Sequence, residues 1–159
     1  PLYSSAASDV YKRQVVSHDG EEIGSGRLIV LHQSFWEDAW EGDYRLVTMS
    51  RAEVDHQIAT DPLLGEVAWS WLTDALDQRR TTYRAAAGTT TAVLSHSFGQ
   101  IAGDPEENRV ELRASWTPDI EETHDIVDHL MAWQDLLCLT CGIQPVPDGV
   151  VSIAPRRAK

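Results

Sequence analysis

Two cysteines, Cys138 and Cys141, stand in the spacing Cys-Leu-Thr-Cys. That spacing serves dithiol redox chemistry where it opens a helix, because the positive end of the dipole stabilises a thiolate. Here it closes one. Ile126, Val127, Leu130, Trp133, Leu137, Cys138 and Cys141 recur at helical intervals, with Gly142 as a C-cap and Pro145 as a stop. The negative end of the dipole therefore faces both thiols. A zinc site usually takes four ligands, and neither a second Cys-x-x-Cys nor a His-x-x-x-His pair is present. The pair reads as two structural thiols on an apolar helix face.

Other constellations weigh less. Glu53 and His56 have the Glu-x-x-His spacing of di-iron bundles, but that chemistry needs two such motifs. His124, Asp125, Asp128 and His129 fall on the polar side of the same final helix, as a solvated face does. Ser95 and His96 lack a nucleophile elbow, and strand alternation sends them to opposite faces. Gly24-Ser-Gly26 and Gly88-Thr-Thr-Thr91 lack the helix start of a phosphate cradle. No catalytic, metal or cofactor set is assigned. Of the six Trp, most are expected in the core. Trp69 lies off the centre of its helix face, and Trp40 stands in a loop beside Glu41. These are interaction candidates, as are the cations Arg45 and Arg113.

The elements follow from periodicity. Val15–Ser17 reads as the end of a strand, and Asp19-Gly20 as a hairpin turn. Arg27–Gln33 is an apolar, β-branched run expected to form a buried strand. Residues 34–43 read as a loop or one helical turn closed by Gly42. Tyr44–Arg51 alternates as a strand. Asp61-Pro62 should cap a helix that buries Leu64, Val67, Ala68, Trp71, Leu72, Ala75 and Leu76. Thr82–Gly99 is a long strand with Gly88 at a bulge, and Arg109–Trp116 a half-solvated strand with Val110, Leu112, Ala114 and Trp116 inward. Thr117-Pro118 should start the last helix, with Thr123 as a rival cap. The order β-β-β-α-β-β-α implies an α+β fold, an antiparallel sheet covered by two helices.

Composition narrows the function. Apolar content of 42% and charged content of 24% are those of a soluble globular protein, and no run is long enough for a membrane helix. The net charge of −12 repels phosphate backbones, so duplex nucleic acid is not an expected partner. Two cysteines make no disulfide framework, and no signal sequence is visible, so a cytoplasmic location is expected.

The first residues stand apart. Ser4–Gln14 back-translates into a transposon-based sequencing-library adapter read in frame, with Pro1–Tyr3 as the tail of an index. Residues 1–14 are accordingly expected to be non-native and to pack poorly, beside an uncovered sheet edge or helix face. Residues 15–144 are expected to form one α+β domain, and 145–159 an extended Pro-rich tail.

Longer motifs carry a resemblance. Ala39–Thr48, Ala59–Leu76, Val110–Pro118 and Ala132–Ile143 resemble the actinobacterial family designated domain of unknown function 3000. The resemblance implies a further N-terminal helix and strand before residue 15, and it carries over no activity and no functional residue. With that helix restored, the order of elements resembles the type III secretion chaperone-like fold, whose members bind proteins. The expected function is a non-enzymatic protein-binding or regulatory module whose partner is another protein or a second copy. The alternative is a small-molecule-binding protein or enzyme, with a pocket between sheet and helices lined by Trp and by Arg45 or Arg113.

Overall fold

Alternation along three stretches builds the centre of the sheet. In the computed structural model, which describes residues 7–16 and 20–145, strand β2 spans Glu22–Glu37, β3 Gly42–Glu53 and β5 Asn108–Pro118. Strands β1 (Ala7–Val16) and β4 (Tyr83–Leu94) flank them. All pairings are antiparallel, in the order β1-β2-β3-β5-β4. Helices α1 (His56–Ala59) and α2 (Leu64–Gln78) connect β3 to β4, a 3-10 turn at Gly99–Ile101 lies between β4 and β5, and α3 (Thr123–Thr140) follows β5. The α+β antiparallel architecture is the expected one, with α1 as an added single turn.

Side-chain parity assigns the faces. Leu46, Thr48, Ser50 and Ala52 of β3 and Val110, Leu112, Ala114 and Trp116 of β5 are buried, as alternation requires. With Leu28 of β2 they meet Leu72, Ala75 and Leu76 of α2 and Ala132, Trp133, Leu136 and Leu137 of α3. Each large apolar side chain so enclosed contributes about 1.5–3 kcal/mol. Among the described residues, the opposite face of the sheet carries no helix.

The helix α3 fits closely because β2 has no side chains beneath it at two points. A Cβ at Gly24 would strike the Cys141 Sγ, and one at Gly26 the Leu137 side chain. The Gly-Ser-Gly stretch is thus a seat for a helix in mid-strand. Two indole N–H groups fix the orientation. Trp133 Nε1 donates to Thr48 Oγ1 at 2.9 Å, and Thr48 in turn donates to the Arg27 carbonyl at 2.9 Å. Trp116 Nε1 donates to His129 Nδ1 at 3.2 Å. Arg79, the C-cap of α2, pairs with Asp135 of α3 through bonds of 2.6 and 3.1 Å, joining the helices.

Several expectations need correction. His129 lies on the buried face of α3, 1% exposed, while Val127 is exposed. The true stripe is rotated because polar His129 and Asp135 find partners inside, which apolar patterning alone cannot register. The α3 cap is Glu122, in a capping box with Asp125, because β5 continues through Pro118. Neither Thr117-Pro118 nor Thr123 caps it. Asp61 does not cap α2 either: Leu63 is the N-cap residue, and Asp61 Oδ1 accepts from the Leu63 N–H at 2.8 Å in the preceding turn. Val67 is exposed rather than buried. Residues 34–37 extend β2 instead of forming a loop, with a bulge between His32 and Glu37, and a turn at 38–41 leads into β3. The run at 27–33 is not wholly buried, since only Leu28 is and Ile29 to Leu31 are half-buried. The β4 irregularity falls between Arg84 and Ala87, before Gly88. The Gly142 cap holds: the Ile143 N–H reaches the Cys138 carbonyl at 2.8 Å, with Gly142 at φ 69°.

The first strand begins at Ala7 rather than reaching Val15 as a stub. It pairs with β2 from Ala7↔His32 to Val16↔Glu22, so the β2 edge is covered there. Ser8–Gln14 are nonetheless exposed on both faces, and Val15 is the residue of this strand that packs against the core. The strand is held through its backbone. The tail after Pro145 and Asp19 of the first hairpin lie outside the described residues.

The Trp116–His129 bond makes a stability prediction. An indole N–H only donates, so His129 Nδ1 must be unprotonated. Burial lowers the His129 pKa from its ordinary value of 6.5, against the weaker opposing pull of a Thr82 backbone group and Asp128, Asp125 and Asp119. The unfolded chain therefore takes up the proton first. The stabilisation is fully present above the unfolded value and is lost as the pH falls from there through the lowered folded value. Urea denaturation from neutral pH to about pH 5 should show falling stability, and His129→Asn should flatten that slope.

Candidate functional site

The helix-free face of the sheet collects the odd-numbered residues of β2, β3 and β5. Register places Lys12, Arg27, Met49, Arg113 and Thr89 in one row across all five strands. The adjacent row runs Val10, Ile29, Val47, Ser115 and Ala87. These rows border a cleft of ≈ 1050 Å³ with Ile29, Val47 and Met49 at its floor. Of the charged residues that line it, Lys12, Arg27, Arg51 and Arg113 are cations on this face and Glu22 is an anion, while Arg13, opposite Gly26, borders the cleft from a position whose side chain belongs to the helix side. In a chain of net charge −12 this is a local reversal of sign.

The pairing of these cations is loose. Arg51 Nε bonds Ser25 Oγ at 3.0 Å, and its charge stands 4.0 Å from Glu22. Arg113 reaches Glu111 at 3.4 Å, a carboxylate that Arg109 also holds at 3.1 Å. Arg27 has no ion pair among the described residues.

The interaction candidates do not converge. Arg113 belongs to the cleft. Arg45 is on the same face but is committed to the scaffold. It donates to the Ala85 carbonyl at 2.9 Å, Thr117 Oγ1 at 3.0 Å and Ser115 Oγ at 2.7 Å. Ala85 sits at φ 50° in the β4 irregularity, so Arg45 holds that distortion in place. Burial lowers its pKa, while Glu41 acts the other way. Trp40 and Glu41 sit in the β2–β3 turn, and their backbone is tied down. The Thr117 hydroxyl donates to the Trp40 carbonyl, and Arg84 Nε to that of Glu41 at 2.6 Å. Trp40 is half-buried and Glu41 exposed. Trp69 is half-buried on the helix side, its ring so close to Gly88 that a Cβ there would lie 2.7 Å away.

Sequence reasoning missed Trp36 and Phe35, which are 60% and 52% exposed beside the same turn, with the Arg84 guanidinium 5.5 Å from the centroid of a Trp36 ring. The loop reading of residues 34–43 hid them. Trp116 and Trp133 are the fully enclosed indoles.

The remaining motifs have structural placements. Burial raises the Cys138 thiol pKa and lifts that of Cys141 to about 11, and neighbouring Asp135 and Cys138 add to the respective shifts. His56 and His96 both approach Glu106, at 3.9 and 3.0 Å, on the surface. Glu53 ends β3. Among the described residues no group of three or more His, Cys, Asp or Glu is arranged to hold a metal ion. None of their helices is long and apolar enough to cross a membrane.

Fold and site together define a two-layer α+β protein with one filled and one open sheet face. The chain belongs to the family described as "Protein of unknown function (DUF3000)", which it matches over residues 3–151. No curated protein and no solved structure matches the chain.

The two face arginines should behave differently. Arg45→Met strands the Ala85 carbonyl and should cost about 1–3 kcal/mol in urea denaturation, whereas Arg113→Met should stay within about 0.5 kcal/mol. The thiols should be inert: a disulfide reagent at about pH 8 should label folded Cys141 far more slowly than the denatured chain.

Proposed function

We propose that the protein is a non-enzymatic, cytoplasmic protein-binding module that docks a partner polypeptide on the open face of its sheet. One observation carries the reading: a broad cleft with an apolar floor and loosely paired guanidiniums lies on that face, while the helix-covered face is filled. Arg residues around a desolvatable apolar patch are typical of protein-binding hot spots. The pocket reading required Arg45 or Arg113 between sheet and helices, and both lie on the opposite face. The chaperone-like order expected once a further N-terminal helix is restored would favour a binding role, as an analogy of topology alone.

Methionine supplies the test. The chain has two, Met49 at the centre of the cleft and Met131 on α3. With 13C-methyl-methionine label, a peptide selected for binding from a random library should shift the Met49 methyl signal and leave Met131 unmoved. Library selection that yields only peptides leaving Met49 unmoved would refute the docking face.

A further inference from the structure

We infer that the open face selects an extended partner segment in which carboxylates alternate with apolar side chains along the side that meets the sheet. This rests on the docking reading above and names what the face recognises. The argument is charge complementarity over a defined pattern. Arg27 and Arg113 flank Met49 in one row, so their Cα positions lie roughly 10 Å apart across two strand spacings. Arg51 stands two residues beyond Met49 on β3, on the same face. Three guanidiniums thus surround one exposed thioether, with Ile29 and Val47 in the next row.

The pattern matches an extended polypeptide. Successive side chains of an extended strand alternate in direction, so residues i, i+2 and i+4 share a side, and a segment with acidic and apolar residues at successive positions of that side presents both kinds to the cleft at once. Guanidiniums suit carboxylates through two parallel N–H donors. Their local field acts against an otherwise acidic surface, so an anionic segment is drawn to this face and repelled elsewhere. Single-stranded nucleic acid fits less well. Its binding sites use aromatic side chains as stacking platforms, and among the described residues no aromatic lines this cleft. The inference stands on Arg27, Arg51 and Arg113, all outside the stretch read as adapter, and does not need Lys12 or Arg13.

Fluorescence anisotropy with synthetic peptides of about twelve residues tests it. The probes are a Glu/Val peptide that repeats Glu-Ser-Val-Ser, so that Glu and Val share one side, its Gln/Val and Lys/Val counterparts on the same pattern, and an oligothymidylate of matching length. The Glu/Val peptide should bind at least about tenfold more tightly than the Gln/Val peptide and weaken as salt is raised. Arg27→Glu with Arg113→Glu should abolish that preference, with an unchanged thermal midpoint showing that the fold is intact. Arg27→Gln with Arg113→Gln, which adds no repulsion, should reduce the preference as well. Equal affinity for Glu/Val and Gln/Val, or tighter binding of the oligothymidylate, overturns the inference. The Met49 methyl separates the two levels. If Gln/Val shifts it as strongly as Glu/Val at equal affinity, docking stands and acidic selectivity falls. Should no peptide shift it, both fall.

Discussion

Everything in this molecule depends on how α3 is seated on the sheet. Two indole N–H groups, those of Trp133 and Trp116, must find acceptors once buried, and each has one in reach. Thr48 and His129 provide them, which fixes the rotation of α3 about its own axis. Gly24 and Gly26 let the helix come close enough for those bonds to form. An orphaned buried donor costs about 1–3 kcal/mol, comparable with losing a core side chain, so the polar contacts constrain the packing as firmly as the apolar ones.

That seating also separates the faces. Both longer helices lie on one side, and the Arg79–Asp135 pair holds them together there. Nothing among the described residues covers the other side. Its odd-numbered residues therefore combine two roles that parity alone does not distinguish. Arg45 is absorbed into the scaffold by three acceptors around the β4 irregularity, while Arg27 has no ion pair among the described residues and Arg113 is held only by Glu111 at 3.4 Å. The same residue type on the same face does structural work in one place and offers a charge in another, according to which acceptors lie within about 3 Å.

Much of the fold was legible. The inward residues of β3 and β5, the core stripe of α2 and the Gly142 cap follow from period and turn chemistry, because those signals are local. The errors share a cause. His129 was placed on a solvated face because its acceptor role is supplied by Trp116, thirteen residues earlier and on another element. Residues 34–37 read as a loop because pairing with β3 through a bulge leaves no periodic trace. Gly24-Ser-Gly26 resembled a failed phosphate loop, since only the approach of α3 explains it. The site was less legible still: Arg113 was singled out, but Arg27 and Arg51, its neighbours in the cleft, were not.

The sequence by itself determined the element types, the antiparallel α+β class, the family and the acidic charge, because each depends on local pattern or on sums over residues. Tertiary structure decided which arginines are tied into the scaffold, which tryptophans are exposed and where a surface of opposite sign lies. Those properties depend on register between strands distant in the chain. Arg27, Met49 and Arg113 become neighbours only when three strands pair, and no spacing along the sequence encodes that row.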